Sequence, residues 1–192
     1  MTIPLEGPWQ WGHAYDLHTL SSTCVGENEY GHPIFDTTYS EMGQRLHSLK
    51  YEGRRDLVGE IVDLLCTWDA LPSGSLIIPV PASRYVRPYQ PLEDVALALG
   101  NRLEIPALIG LLRKRADSKQ LKEIADPQER QNALQDAISL ACPVDLSDHK
   151  VILIDDLYRS GSTLMACHAV LTRRAGAGSV SVMTLTKTRV KK

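Results

Sequence analysis

"VILIDDLYRSGSTL", from Val151 to Leu164, is the most informative stretch of the chain, because an apolar run leads directly into two acids and a hydroxyl-rich turn. A short apolar run bounded in this way is typical of a buried strand. The residues from Thr163 to Arg174 carry apolar side chains at helical spacing, so a helix is expected directly after the turn. The stretch therefore predicts a strand, a turn and a helix, with its polar residues where the strand ends.

On both sides of this unit, predicted strands and helices alternate along the chain. Apolar runs predict strands at "LIIPVP" (76–81), "IPALIGLLR" (105–113), "KVILID" (150–155) and "SVSVMTL" (179–185). Amphipathic spacing predicts helices over about 38–66, with a break at "YEG" (51–53), and over 92–103. Asp126 followed by Pro127 predicts a further helix start. The alternation indicates an α/β fold with a mainly parallel central sheet flanked by helices.

The first 38 residues differ in composition from the rest. They are rich in Gly, Pro, His and aromatic residues and show weak periodicity. We interpret residues 1–38 as an irregular or short-stranded N-terminal segment that acts as a hood over part of the site, and residues 39–192 as the α/β domain.

Composition limits the classes of function. The formal net charge of -2 predicts no strong general attraction to nucleic acid or membranes, although residues 173–192 are basic. The chain has no signal peptide and no run near the roughly 20 apolar residues of a membrane span, so a cytoplasmic protein is expected. The four cysteines form no C-x-x-C pair, which favours free thiols and predicts no structural zinc.

The turn after the strand has the chemistry of a phosphate site. A helix N-terminus offers unpaired N–H groups and partial positive charge, and Gly161 lets the backbone approach a ligand. Hydroxyls from Ser160, Ser162 and Thr163 and the charge of Arg159 would add to it. The two acids suit sugar hydroxyls or a Mg²⁺ ion instead. A sugar diol beside a phosphate describes a ribose 5-phosphate.

Other interpretations of the same stretch fit less well. The chain contains no G-x-x-x-x-G-K-[ST] loop, so the acids are not explained as part of a P-loop ATPase. "RSGST" is not the G-x-S-x-G of a nucleophile elbow, and the acid pair comes too late in the chain for a receiver domain. A simple capping turn with solvated acids would not need the two acids, the tyrosine and the Ser-Gly-Ser-Thr run together, so this interpretation explains less of the stretch.

"VILIDDLYRSGSTL" resembles the ribose-phosphate signature of type I phosphoribosyltransferases, with Arg159 where a threonine is frequent. "LHSLKYEGRRDL", "IIPVPASRYVRPYQPLEDVALALG" and "LRKRADSKQLKEIADPQERQNAL" are similar to segments of the ComF-type branch, the competence-associated, amidophosphoribosyltransferase-like group. The resemblance covers roughly residues 39–188. "RPYQPLED" replaces that branch's Arg-Gly-Phe-Asn-Gln segment and keeps Arg87 together with Gln90 or Glu93.

The resemblance implies a role for each part of the site. Asp155 and Asp156 would hold the ribose hydroxyls, one of them through Mg²⁺, and would be the catalytic acids. The residues around the 5-phosphate would be Arg159, Ser160, Gly161, Ser162 and Thr163. The residues at the pyrophosphate would be Pro81, Ala82, Ser83 and Arg84. The flexible flap over the site would contain Arg113, Lys114, Arg115, Lys119 and Gln120. Lys50 and Tyr51 are interpreted as residues that orient helices.

Three functions stay open at this point. The first is a phosphoribosyltransferase that binds phosphoribosyl pyrophosphate with Mg²⁺ and transfers the phosphoribosyl group to an unidentified base or amine. The second is a phosphoribosyl- or nucleotide-binding module that regulates another process without turnover. The third is an accessory protein of DNA uptake, for which the basic C-terminal residues offer a surface and the net acidity is unfavourable. The resemblance also implies a homodimer.

Overall fold

The computed structural model describes residues 2–82, 89–114 and 137–189 of the chain. At its centre is a five-stranded sheet with the order β1-β2-β9-β8-β5. The strands are β1 (Ile3–Pro4), β2 (Trp11–Leu17), β5 (Leu76–Pro79), β8 (Lys150–Tyr158) and β9 (Ser179–Lys187). β2, β9, β8 and β5 run parallel to one another, and β1 is antiparallel to β2. The predicted mainly parallel sheet is confirmed.

Helices cover both faces of this sheet. They are α1 (Glu41–His47), a π-helical turn (Ser48–Glu52), α2 (Leu57–Cys66), α3 (Pro91–Leu103) and α4 (Ser162–Arg174). α1, α2 and α3 pack on one face, and α4 packs on the other face with a small hairpin of β6 (Leu112–Lys114) and β7 (Ile138–Leu140). Within the described ranges, no helix has the length and apolar character needed to cross a membrane.

The alternation of side chains along β8 explains why the core has two halves. Ile152 and Ile154 are fully buried among α1, α2 and α3, whereas Val151 and Leu153 are buried on the α4 side. Burial of one such side chain stabilises the fold by about 1.5–3 kcal/mol. The continuous apolar run in "VILI" is therefore the pattern of a strand that is covered on both faces.

The register of the parallel strands places their ends at one edge of the sheet. Leu17 and Tyr158 both lie opposite Lys187, and Pro79 lies opposite Ile154. The segments that follow β2, β5 and β8 are consequently neighbours in space, although they are far apart in the sequence. In parallel α/β sheets this edge is where ligands bind.

The N-terminal segment is more regular than its sequence predicts. Of the two expectations for residues 1–38, an irregular or a short-stranded segment, the structure shows the second, because the region contains β1, β2 and a hairpin of β3 (Thr19–Glu27) and β4 (Pro33–Tyr39). β2 obtains its hydrogen bonds from β9, more than 160 residues away, and no local pattern reports such a partner. The hairpin is largely exposed, so it lacks the apolar alternation of a half-buried strand. The domain boundary after residue 38 stays a prediction.

Two predicted strands have different limits in the structure. β8 continues through Asp155 to Tyr158, so both acids lie on the strand itself and not in the loop after it. "IPALIGLLR" forms a strand only from Leu112, while Ala107 makes a single bridge to Ile77 next to Pro106, which has no N–H to donate. The helix start predicted at Asp126 lies outside the described residues.

Candidate functional site

A cavity of about 750 Å³ opens at the edge of the sheet where the parallel strands end. The predicted site residues that line it are Asp155, Asp156, Arg159, Ser160, Gly161, Ser162, Thr163, Pro81 and Ala82. Polar or aromatic residues from other elements complete the lining, namely His18, Lys50, Tyr51, Gln90, Glu93 and Tyr158. The fold thus brings the acids, the hydroxyl-rich turn and the segment after β5 to one cavity.

The two adjacent acids face different surroundings. Both lie within β8, where successive side chains point to opposite faces of the sheet. The carboxylate of Asp156 forms an ion pair with the ammonium of Lys50, which lies on the π-helical turn. Asp155 lies on the face that α4 covers, where it interacts electrostatically with Lys114 of β6 as well as with Lys50 and with Asp156 itself. The two acids therefore have different neighbours but still act on each other electrostatically.

The position of Asp155 is unfavourable for the charged form of its side chain. Burial raises the pKa of Asp155 to about 8, and the nearby charge of Asp156 raises it as well. The backbone N–H of Asp156 donates to Oδ1 of Asp155 at 2.8 Å and, with Lys50 and Lys114, partly offsets this rise. Asp155 is therefore expected to hold a proton at neutral pH in the absence of a ligand.

Amide substitution of the two acids is expected to change stability in opposite directions. Between about pH 4 and pH 8, Asp155 keeps its proton in the folded chain and loses it in the unfolded chain, because its pKa is raised only on folding. The free energy of unfolding therefore falls as pH rises through this range. Asp155→Asn should remove this fall and raise Tm by about 3–6 °C at pH 8, with little change near pH 4. Asp156→Asn leaves the Lys50 ammonium without its carboxylate and should lower Tm by about 3–6 °C at pH 8. Thermal unfolding of both variants over this pH range provides the measurement, and shifts of the same sign would contradict the assignment.

The turn before α4 has the geometry of an anion site. Gly161 has a φ of 72°, in the left-handed region, and is the residue that precedes the first turn of α4. The first N–H groups of a helix have no partner within it, and the residues that carry them here, Ser162 and Thr163, line the cavity with their hydroxyl-bearing side chains. The hydroxyls of Ser160 and Ser162 lie 3.0 Å apart, and Arg159 is exposed at the cavity.

Tyr158 supports this turn from below. Its hydroxyl donates to the carbonyl of Glu6 at 3.0 Å, and the ammonium of Lys187 lies 5.3 Å from the centre of its ring. A Cβ added at Gly161 would lie 2.8 Å from the Tyr158 ring. The close packing of Gly161 on the ring of Tyr158 therefore fixes how far the turn lies from the sheet. This contact explains why an aromatic residue stands between the two acids and the hydroxyl-rich turn.

Sequence reasoning missed His18 as part of the cavity. His18 directly follows β2, and its Nδ1 lies 3.2 Å from the hydroxyl of Thr186 on β9. Burial lowers the pKa of His18, and the nearby ammonium of Lys50 lowers it further, so the ring is mainly neutral at neutral pH. No spacing signal could have found this residue, since its place depends on the pairing of β2 with β9.

The interpretation of Lys50 and Tyr51 as residues that orient helices is incomplete, because both also line the cavity. They lie on a π-helical turn, a rare geometry that is frequent at functional sites. A row of ring contacts joins His18, Tyr39, His47 and Tyr51, with centroid distances of 5.5, 4.9 and 5.0 Å. The row connects the end of β2 with the π-helical turn and holds one wall of the cavity.

The predicted pyrophosphate and flap residues are described only in part. Pro81 and Ala82 line the cavity directly after β5, where the N–H of Val80 donates to the carbonyl of Ile154 at 2.9 Å. Arg113 and Lys114 belong to β6, which is paired with β7. The other predicted members of these groups, together with Arg87, lie outside the described residues: Ser83, Arg84, Arg115, Lys119 and Gln120.

The acids do not form a joint cradle for a metal ion. Asp155 and Asp156 point to opposite faces of the sheet, and the Lys50 ammonium already occupies the Asp156 carboxylate. Among the residues that the structure describes, no three His, Cys, Asp or Glu side chains are grouped for metal binding. This donor set does not suit a Mg²⁺ ion held by the two acids together. A Mg²⁺ ion carried by the ligand's own pyrophosphate stays a prediction.

Comparisons with known proteins give little further information. No protein-family model matches the chain, and no curated protein matches it. Among solved structures, the chain is similar to adenine phosphoribosyltransferase from Leishmania donovani, with 14% identity and a TM-score of 0.33. The match covers 79% of this chain and 70% of that chain. A similarity of this extent supports no conclusion about ligand or reaction.

Proposed function

We propose that the chain binds phosphoribosyl pyrophosphate or a related ribose 5-phosphate in this cavity and transfers the phosphoribosyl group to a base or amine. The observation that carries the proposal is the meeting of two carboxyl groups and a helix N-terminus rich in hydroxyls in one cavity. A carboxyl group suits a sugar hydroxyl, and a helix N-terminus suits a phosphate. A ligand that carries both groups within a few ångströms is a sugar phosphate.

The cavity offers distinct subsites for such a ligand. In the proposal, the 5-phosphate lies on the turn of Arg159 to Thr163, and the ribose hydroxyls face Asp155 and Asp156. The pyrophosphate lies toward Pro81 and Ala82, the segment that follows β5. The volume of about 750 Å³ is within the usual range for small-molecule sites.

The proposed reaction breaks the bond between ribose C1 and the pyrophosphate oxygen and forms a bond between C1 and a nitrogen of the acceptor. The electron pair of the broken bond leaves with the pyrophosphate, and the acceptor nitrogen loses a proton. Since positive charge develops at C1, the protein contributes mainly position and electrostatics. The carboxylate of Asp156 can stabilise that charge, Asp155 can hydrogen-bond to a ribose hydroxyl whether or not it holds its proton, and Arg159 can hold the phosphate.

A binding module without turnover is the second candidate. Arg159, in the place where the resembled signature frequently has threonine, is the residue that favours it, because an added charge tightens ground-state binding without assisting the departure of pyrophosphate. The implied homodimer and any contact with nucleic acid stay predictions.

Two measurements test the proposal. Phosphoribosyl pyrophosphate and ribose 5-phosphate should each raise Tm. A free ligand concentration of about 100 times Kd adds about 2.7 kcal/mol to the free energy of unfolding. Ribose without phosphate should have little effect. Incubation with a panel of bases and amines, followed by a pyrophosphate assay, then separates the two candidates: product supports a transferase, and stabilisation without product supports a binding module.

The acids provide the specific control. The double variant Asp155→Asn, Asp156→Asn should stay folded and lose the ligand-induced rise in Tm, because an amide NH₂ replaces an oxygen that accepts from the ribose hydroxyls. Glu27 and Glu29 lie on and next to the exposed β3 strand, and the double variant Glu27→Gln, Glu29→Gln provides the matched change of charge away from the cavity. If the acid variant responds to ligand as the wild type does, the carboxyl groups do not hold ribose.

A further inference from the structure

Lys50 is presented to the cavity by a well-anchored element. The π-helical turn that carries it also contains Leu49, which is fully buried in the core under α1, α2 and α3. The hydroxyl of Tyr89 donates to the carbonyl of Leu49 at 2.5 Å, and the guanidinium of Arg55 lies 4.7 Å from the centre of the Tyr89 ring. The backbone directly before Lys50 is thus anchored, and the ion pair with Asp156 defines the place of the Lys50 ammonium.

The ion pair of Lys50 with Asp156 is largely withdrawn from water. The side chains of Lys50 and Asp156 are only 17% and 26% exposed, unlike the fully solvated pairs that salt readily screens. A lysine ammonium has three N–H donors, and the carboxylate of Asp156 can use one of them. The ammonium therefore has more donors than this one contact needs, and its side chain lines the cavity that a ligand would enter.

Positive groups from three elements reach the cavity that Lys50 lines. Arg159 and the N-terminus of α4 line it together with Lys50, and the carboxyl groups of Asp155, Asp156 and Glu93 line it as well, so an anionic group is favoured only beside the positive groups. A divalent ion at Asp156 would have to displace the ammonium that already neutralises this carboxylate. Lysine acts as a compact point charge on phosphate groups, which is the electrostatic part of what a metal ion does there.

Resting on the function proposed above, we infer that Lys50 serves as the built-in cation of this site. Its ammonium bridges the carboxylate of Asp156 and the phosphate or pyrophosphate oxygens of the ligand. A ribose 5-phosphate ligand consequently binds here without a divalent metal ion.

The test compares ligand-induced shifts in Tm with and without metal. Wild-type protein is measured with ribose 5-phosphate and with phosphoribosyl pyrophosphate, each in excess EDTA and in Mg²⁺. Both ligands are expected to raise Tm equally under the two conditions, to within about 1 °C. If the shift appears only in Mg²⁺, the inference is overturned while the proposed function stands. If neither ligand shifts Tm under either condition, both are overturned.

Lys50→Met and Lys150→Met form a matched pair of variants. Lys150 lies at the opposite end of β8 and is exposed, so its replacement removes the same charge away from the cavity. In EDTA, Lys50→Met should bind either ligand at least about tenfold more weakly, the size of one lost charge-assisted hydrogen bond, while Lys150→Met should bind as the wild type does. Mg²⁺ should partly restore binding to Lys50→Met, since the carboxylate of Asp156 is then free to accept a cation. If folded Lys50→Met binds ligand in EDTA as tightly as the wild type does, the inference is overturned. If this variant does not fold, the comparison of wild-type protein in EDTA and in Mg²⁺ still tests the inference.

Discussion

Gly161→Val is expected to weaken binding of ribose 5-phosphate at least about 100-fold, because no β-branched residue adopts the backbone conformation of this position without strain. Gly161 has a φ of 72°, and an added Cβ would lie 2.8 Å from the ring of Tyr158. The turn would have to rise or rotate, and the N–H groups at the start of α4 would no longer converge on one phosphate. Isothermal titration of the variant with ribose 5-phosphate measures the loss.

Gly110→Val separates backbone strain from the loss of the site. Gly110 also has a φ of 72°, and a Cβ added there has no heavy atom within 4 Å. Both substitutions should cost about 1–3 kcal/mol of stability through the same backbone strain, but Gly110→Val should bind ligand normally. Wild-type affinity in Gly161→Val would show that the turn before α4 does not hold the phosphate.

Ile154→Ala should reduce the free energy of unfolding by about 3–4 kcal/mol, because the cavity left by a fully buried side chain adds to the lost hydrophobic transfer energy. Ile154 is fully buried under α1, α2 and α3, and it pairs in register with Pro79 and Met183. Ile154 also directly precedes Asp155, so its truncation should disturb the position of the two acids at the cavity as well. Urea denaturation measures the loss of free energy, and thermal unfolding should show a Tm lower by about 8–14 °C.

Two milder substitutions calibrate this effect. Ile154→Val keeps most of the volume and should cost about 0.5–1.5 kcal/mol. Leu97→Ala changes an apolar side chain of α3 that is 45% exposed and should cost less than about 1 kcal/mol. If Ile154→Ala unfolds at the same urea concentration as Leu97→Ala, β8 does not run through the core between the two layers that cover the sheet.

The strand, turn and helix around the acids could be predicted because their signals are local. Four apolar residues from Val151 to Ile154 require cover on both faces, and the apolar spacing from Leu164 to Leu171 specifies one buried side of α4. The left-handed turn has a glycine at the position that needs one. Local patterns of this kind do not depend on the rest of the chain.

Other features could not be predicted because they depend on distant partners. β2 becomes a strand of the central sheet only through its pairing with β9, and His18 reaches the cavity as a consequence. The ion pair of Lys50 with Asp156 joins residues more than 100 positions apart. The opposite orientation of the two acids follows from the continuation of β8 to Tyr158, whereas the sequence places them near a strand end without fixing which residue ends it.

We propose above that the end of β8 and the first turn of α4 form a pocket for a phosphorylated pentose. A crystal structure of the protein soaked with ribose 5-phosphate is the decisive experiment. We expect phosphate oxygens about 3 Å from the backbone N–H groups between Gly161 and Thr163, with ribose hydroxyls on the side of Asp155 and Asp156. A sugar phosphate that settles consistently elsewhere, while this turn stays empty, would contradict it.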